Sequence, residues 1–203
     1  IVFRAPVFLL NNPDVPYSTS PVGIIITGDF ILTVSSIDVE QVLDLCSAKI
    51  RHFSPENKNQ FIIHLLHRAS FYYLKYLEEL DTRTNKVEYE LQKSTKNEEL
   101  IKLLNIEKSL VFFTTSLKSN MLMMERLKQQ KNLILSDQAL DFLDDAKVDH
   151  LQAIEMAEIY SNILSGMMDA FASVISNNLN IVMKFLTGIT LLIMIPSLIS
   201  SIY

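Results

Sequence analysis

The sequence predicts an α+β protein in which an N-terminal α/β domain is followed by a long stalk helix that continues into a transmembrane helix. Three observations lead there. The first 34 residues alternate apolar runs with turn-forming Asn, Pro, Gly and Ser; from Pro55 apolar residues recur at helical spacing; and the last 19 residues, Phe185 to Tyr203, carry no charge. Strands first and helices afterwards is the order of a fold whose helices cover a sheet. The division that follows is 1–140 for the α/β domain, 141–184 for the stalk and 185–203 for the span. The chain opens without Met and inside an apolar run, as a piece of a longer protein would.

Composition sets the frame for each element. With 203 residues, 49% of them hydrophobic and 20% charged, the two populations must be segregated, and from Asp169 to Tyr203 only Asp169 and Lys184 are ionised. A formal charge of −5 argues against a nucleic-acid surface, which needs clustered Lys and Arg, and leaves cations as ligands. One cysteine, Cys46, rules out an intrachain disulfide and fits a reducing compartment. Within "VLDLCSAKI" it reads as a small buried hydrophobe.

"IVFRAPVFLL" reads as a strand, with Ile1, Phe3 and Val7 among its apolar positions and Pro6 as the mark of an edge or a bulge. "NNPDVPYSTSP" reads as a connection, and "GIIITGDFILTV" as a hairpin turning at Gly28-Asp29. In "SSIDVEQVLDL" Ser36 is placed to cap a helix, Glu40 stands near its first turn, and Ile37, Val39, Val42, Leu43 and Leu45 form its apolar face. The next segment carries Phe61, Ile62, Leu65, Leu66, Ser70, Tyr73 and Leu77 as one wide stripe. "NEELIKLLNIEKSLVFFTTSLKSNMLMMERL" follows in the same manner. From about Asp145 nothing ends the helix: Gly166 and Gly188 are isolated, and Pro196 lies in an apolar run where a membrane helix tolerates a kink. Ala153, Ala157, Tyr160, Leu164, Met167, Phe171 and Val174 alternate by four and three, the seam of a helix packed along its length on other helices. Packing on the chain's own domain is the alternative. The final 19 residues suffice to cross ~30 Å of hydrocarbon, with Lys184 and Tyr203 as interfacial anchors and the basic flank favouring the cytoplasmic side.

One line of residues on this helix is polar. Stepping back from Ser201 by four and three gives Ser197, Met194, Thr190, Thr187, Met183, Asn180, Ser176, Ser173 and Asp169, while flanking positions are mostly Ile, Leu, Val and Phe. A lone Ser or Thr in a membrane helix is satisfied by a carbonyl one turn back. A line in one phase should instead face protein or water. Identical helices around an axis would make it the shared wall of a channel in a homo-oligomer. The wall offers neutral acceptors with a single carboxylate, Asp169, which suits an ion that keeps its waters rather than one stripped of them. Met183 and Met194, with Leu186 beside the line, could form apolar constrictions or serve only in packing.

"SGMMDAFASVISNNLNIVMKFLTGITLLIMIPSLISSIY" closely resembles the stalk and first membrane helix of the CorA family of magnesium and cobalt transporters, on Asn180, Met183, Lys184, Leu186, Thr187, Pro196, Ile202 and Tyr203. The likeness runs more loosely through "QAIEMAEIYSNILSGMMDA", "PVGIIITGDFILTV" and "IVFRAPVF". It implies a homopentamer in the cell membrane, multi-pass in the full-length chain, with its N-terminal domain in the cytoplasm, passing hydrated magnesium, and cobalt as a second ion, through a pore gated by intracellular magnesium. A Gly-Met-Asn signature and a second membrane helix would follow Tyr203. It further implies that Asp169 lies at the cytoplasmic end of the pore, Asn180 at its entrance, Met183 and Leu186 at a hydrophobic constriction, and Met194 and Ser197 toward the outer mouth. Thr187, Thr190 and Ser201 complete the wall by phase. Ser197 stands where the family often has Thr, and Pro196 is displaced by one residue from its place in some relatives. Among the acids of "LSDQALDFLDDAKVDH", namely Asp137, Asp141, Asp144, Asp145 and Asp149, the resemblance points to Asp145 as a regulatory magnesium ligand between subunits. A run of acids is otherwise a solvated helix face.

Other chemistry is poorly supported. His64 and His67 in "HLLH" could hold zinc but lack an evident third ligand. No phosphate loop or nucleophile-base pattern stands out, so an enzyme is not expected. Two other readings stay open: a ZntB-type zinc transporter of the same superfamily, and a tether of coiled-coil stalk and anchor with no pore.

Overall fold

The computed structural model describes residues 1–9, 15–28, 30–46, 58–93, 97–129 and 137–202. It contains β1 (Val2–Phe8), β2 (Tyr17–Ile26), β3 (Ile31–Ser35), α1 (Glu40–Cys46), α2 (Lys58–Lys93), α3 (Asn97–Gln129) and α4 (Asp137–Ile202). The order is α+β, as expected. The chain divides into two compact units, Ile1–Leu164 and Ser165–Tyr203.

In the first unit the strands form an antiparallel sheet in the order β1-β2-β3. Phe3, Ala5, Val7, Val22 and Ile24 alternate onto one face and join Ile62, Leu65, Leu66, Ala69, Met124, Leu143 and Ala146 of the helices in the core. The expected stripe of α2 is buried throughout, from Phe61 to Leu77. The hairpin also forms. Thr27 N–H donates to Phe30 O at 2.9 Å and Phe30 N–H to Thr27 Oγ1 at 3.1 Å; Asp29 lies outside the described residues.

Pro6 does lie on an edge strand, and the outer edge of β1 is covered at Arg4 and at Pro6. Asn120 of α3 donates from Nδ2 to Arg4 O at 2.7 Å and accepts Arg4 N–H at Oδ1 at 2.8 Å, occupying the place of a neighbouring strand's peptide. Tyr73 Oη also donates to Arg4 O, at 2.9 Å. Pro6 has no N–H to satisfy, and its carbonyl accepts from Gln41 Nε2 at 2.8 Å. Pro21 sits opposite Arg4 in the register, so its missing N–H faces away from β1, beyond the end of β3 at Ser35.

Four expectations need correction. "NNPDVPYSTSP" is a connection for less of its length than its composition indicates, because β2 begins at Tyr17. Tyr17 is fully buried among Phe8, Tyr76 and Phe113, and Thr19 bonds to Ser116, so side-chain anchoring overrides turn propensity. Ser36 does not cap α1, which starts one turn later at Glu40; its hydroxyl meets Ser20 Oγ at 3.4 Å. Of the expected apolar face of α1, Val39 and Leu45 are buried, but Ile37 and Leu43 are exposed, and Ile37 and Val39 precede the helix. The helix is instead held to α2 by Arg68 and Tyr72 on Asp44, at 2.7 and 2.8 Å. Lastly, the seam of α4 is covered by the chain's own domain as far as Leu164: Ala153, Ala157 and Leu164 are fully buried, whereas Val174 is exposed. The side chain of Cys46 is outside what the structure describes.

Candidate ion-conduction face

The second unit is a single stretch of α4. Between Asn180 and Ile202 its strongest helix-weakening residues are Gly188 and Pro196. The side chains of this stretch are exposed in the chain, including Phe185 at 70% and Leu192 at 71%. The helix is long and apolar enough to cross a membrane, and its most apolar window is wholly uncovered by protein. So large an apolar surface requires lipid or other subunits.

All ten members of the polar line lie on this segment, from Asp169 to Ser201. At roughly 3.6 residues per turn they fall within an arc of about 120°, and Pro196 falls on the opposite side. The backbone bond that Pro196 cannot make, to Leu192 O, is therefore away from the line.

The hydroxyl geometry decides what the line offers. Ser173 donates to Asp169 O at 3.1 Å, Thr187 to Met183 O at 2.8 Å, Thr190 to Leu186 O at 2.8 Å, Ser197 to Met194 O at 2.9 Å and Ser201 to Leu198 O at 3.0 Å. Each hydroxyl proton is thus consumed by a backbone carbonyl, and the oxygen is left with lone pairs alone. Such oxygens can accept from the water shell of a cation. They have no proton with which to hold an anion. Asn180 and Asp169 are exposed on the same line, Met183 and Met194 interrupt it with apolar groups, and Leu186 stands exposed beside it.

The profile of the CorA-like Mg2+ transporter proteins matches residues 1–203. The chain belongs to the CorA family. The cobalt/magnesium transport protein CorA of Methanocaldococcus jannaschii is 28% identical to it over 207 residues, covering 100% of this chain and 64% of the relative's length. The complete structure of that magnesium transporter superposes with a TM-score of 0.84 at 28% identity over 100% of this chain and 64% of that one. A ZntB cytoplasmic domain from Vibrio parahaemolyticus matches with a TM-score of 0.66 at 13% identity, covering 88% of this chain and 68% of that one, a likeness of fold alone.

In this CorA-family chain Asp145 is placed in the first unit, exposed on α4. Of the neighbouring acids, Asp144 pairs with Lys128 at 2.8 Å and Asp149 with His67 Nε2 at 3.7 Å; the Asp137 side chain is outside the described set. Among the described residues no group of three or more His, Cys, Asp or Glu is placed to hold a metal ion. His64 lies against the Phe142 ring at 5.7 Å, and burial with the nearby His67 lowers its pKa.

The structure also assembles a polar cluster that the periodicity did not single out. Ser70, Asn120 and His150 are all buried, on α2, α3 and α4. His150 Nδ1 bonds to Ser70 Oγ and lies 3.2 Å from Ala146 O, while its Nε2 faces Asn120 Nδ2 at 3.5 Å. Burial pulls the pKa of His150 down to about 4. Each member interrupts an apolar stripe, and His150 is one step before Ala153 on the seam; that interruption is the sequence signal.

Proposed function

We propose that this chain is one subunit of a CorA-type homopentamer that passes hydrated magnesium, and cobalt, down their gradients through a central pore. In this reading 1–140 is a cytoplasmic domain, 141–184 a stalk and 185–203 the first of two membrane helices in a multi-pass protein of the cell membrane. Asp169, Asn180, Met183, Leu186, Thr187, Thr190, Met194, Ser197 and Ser201 line the pore. The observation that carries the reading is the single phase of that line, with its hydroxyl protons tied back and its oxygens left as acceptors. Magnesium sheds its waters reluctantly and is stripped only by dense anionic oxygen; a wall of neutral acceptors therefore supports passage of the hydrated ion. Met183 and Leu186 narrow the path with apolar groups that close by dewetting. Asp145, with a carboxylate from a neighbouring subunit, binds intracellular magnesium, offsets repulsion between subunits and biases the pore toward closed.

Ion flux into liposomes bearing the full-length protein tests this. Magnesium flux is expected, reduced at least tenfold by Asn180→Leu. Flux of zinc alone would favour the ZntB-type reading, and absence of any divalent flux would return the tether. Asp145→Ala is expected to leave flux intact but abolish its inhibition by magnesium on the domain side.

A further inference from the structure

His150 is buried at the meeting point of four elements. From β1 it meets the Arg4 backbone through Asn120; from α2 it meets Ser70 and the Tyr73 ring, at 6.0 Å. From α3 it meets Asn120, and from its own helix the carbonyl of Ala146. Asn120 cannot turn its oxygen toward the imidazole, because both ends of its amide are committed to Arg4. Its Nδ2 therefore donates to Nε2, and the imidazole is neutral with its proton on Nδ1, donated to Ser70. The Ser70 hydroxyl passes its own proton to Leu66 O at 3.1 Å. A second proton on the ring would set an N–H against the NH2 of Asn120. No carboxylate among the described residues faces the ring: Tyr73 is kept neutral by burial, Arg4 is cationic and exposed on its strand, and Asp149 is turned to His67.

We propose that His150 is a proton-sensitive latch holding α4 to α2, α3 and the edge strand β1, and that acid on the domain side releases it and so alters conduction. The latched state excludes the charged imidazole, whereas an opened one admits it at the ordinary value. Release is favoured as pH falls from about 6.5 and levels off near the latched value of about 4. Latch and polar line belong to the same helix, α4, and that continuity is the route proposed for the coupling. That second half rests on the function proposed above; the latch itself does not.

Hydrogen exchange of the full-length protein, corrected for the intrinsic pH dependence of the amides, reads the latch in peptides from β1 and from 137–164. Between pH 7.5 and 5.5 their opening constant should rise about tenfold in the wild type and stay within twofold in His150→Gln. A flat wild type, or a variant that keeps the wild-type response, overturns the proposal. Should His150→Gln not fold, Asn120→Asp decides, because it presents a carboxylate to Nε2: its acid response should reverse, and an unreversed response sinks the latch. In liposomes, magnesium flux should change several-fold with domain-side pH in the wild type and not in His150→Gln. Flux indifferent to pH while exchange responds overturns the coupling to the pore. No flux at any pH counts against the transport reading alone, with exchange still deciding the latch.

Discussion

At Asn120 one side-chain amide does the work of a missing strand, satisfying the N–H and the carbonyl of Arg4 together. Asn120→Ala leaves both part-buried groups without that partner, Arg4 O retaining only Tyr73. It should cost about 2 to 4 kcal/mol, measured as a lowered unfolding midpoint by circular dichroism. Tyr72 makes a second residue-scale case. Burial, and then its hydrogen bond to Asp44, push its pKa up to about 12. Asp44→Asn removes the anion and leaves the burial, so the phenol should titrate lower but not at the ordinary value, as an ultraviolet titration would show. The same change weakens the hold of Arg68 on α1.

Among the elements, α4 is where sequence pattern and chemistry coincide. Its polar line was legible as a period, but the period could not say where the hydroxyl protons go. The back-bonds settle that because a helix interior always offers a carbonyl one turn behind. Replacing Thr187 and Thr190 by Val keeps shape and removes two acceptor oxygens. If these oxygens carry hydrated ions, flux should fall several-fold while the helix is unchanged by circular dichroism; unaltered flux would leave them as packing groups. The heptad seam shows the opposite lesson. Its spacing was visible, yet what covers it was not, because an apolar stripe is equally satisfied by its own domain or by another subunit. Up to Leu164 the cover is the domain itself.

For the whole molecule the balance between the two units sets behaviour in solution. The first carries its own core, and the second is exposed apolar helix. A truncation to 1–164 should remain soluble without detergent and keep its helical spectrum, while the full chain requires lipid or detergent. Stability should also depend on acid. His150 is neutral when folded, with a pKa of about 4, and titrates near 6.5 when unfolded. The unfolded chain binds the extra proton, so stability is full above about pH 6.5 and falls by about 3 kcal/mol as pH drops to about 4. Denaturant unfolding of the truncated domain across that range checks the sign and the size. By itself the sequence determined the order of strands and helices, the stripe of α2, the apolar span and the phase of the polar line, because each is a short-range periodicity written along one helix or strand. Only the tertiary structure decided that β2 begins at Tyr17, that α1 starts without Ser36, and that Ser70, Asn120 and His150 meet around Arg4. Those outcomes depend on partners 16 to 116 positions away in the chain, which no local pattern records.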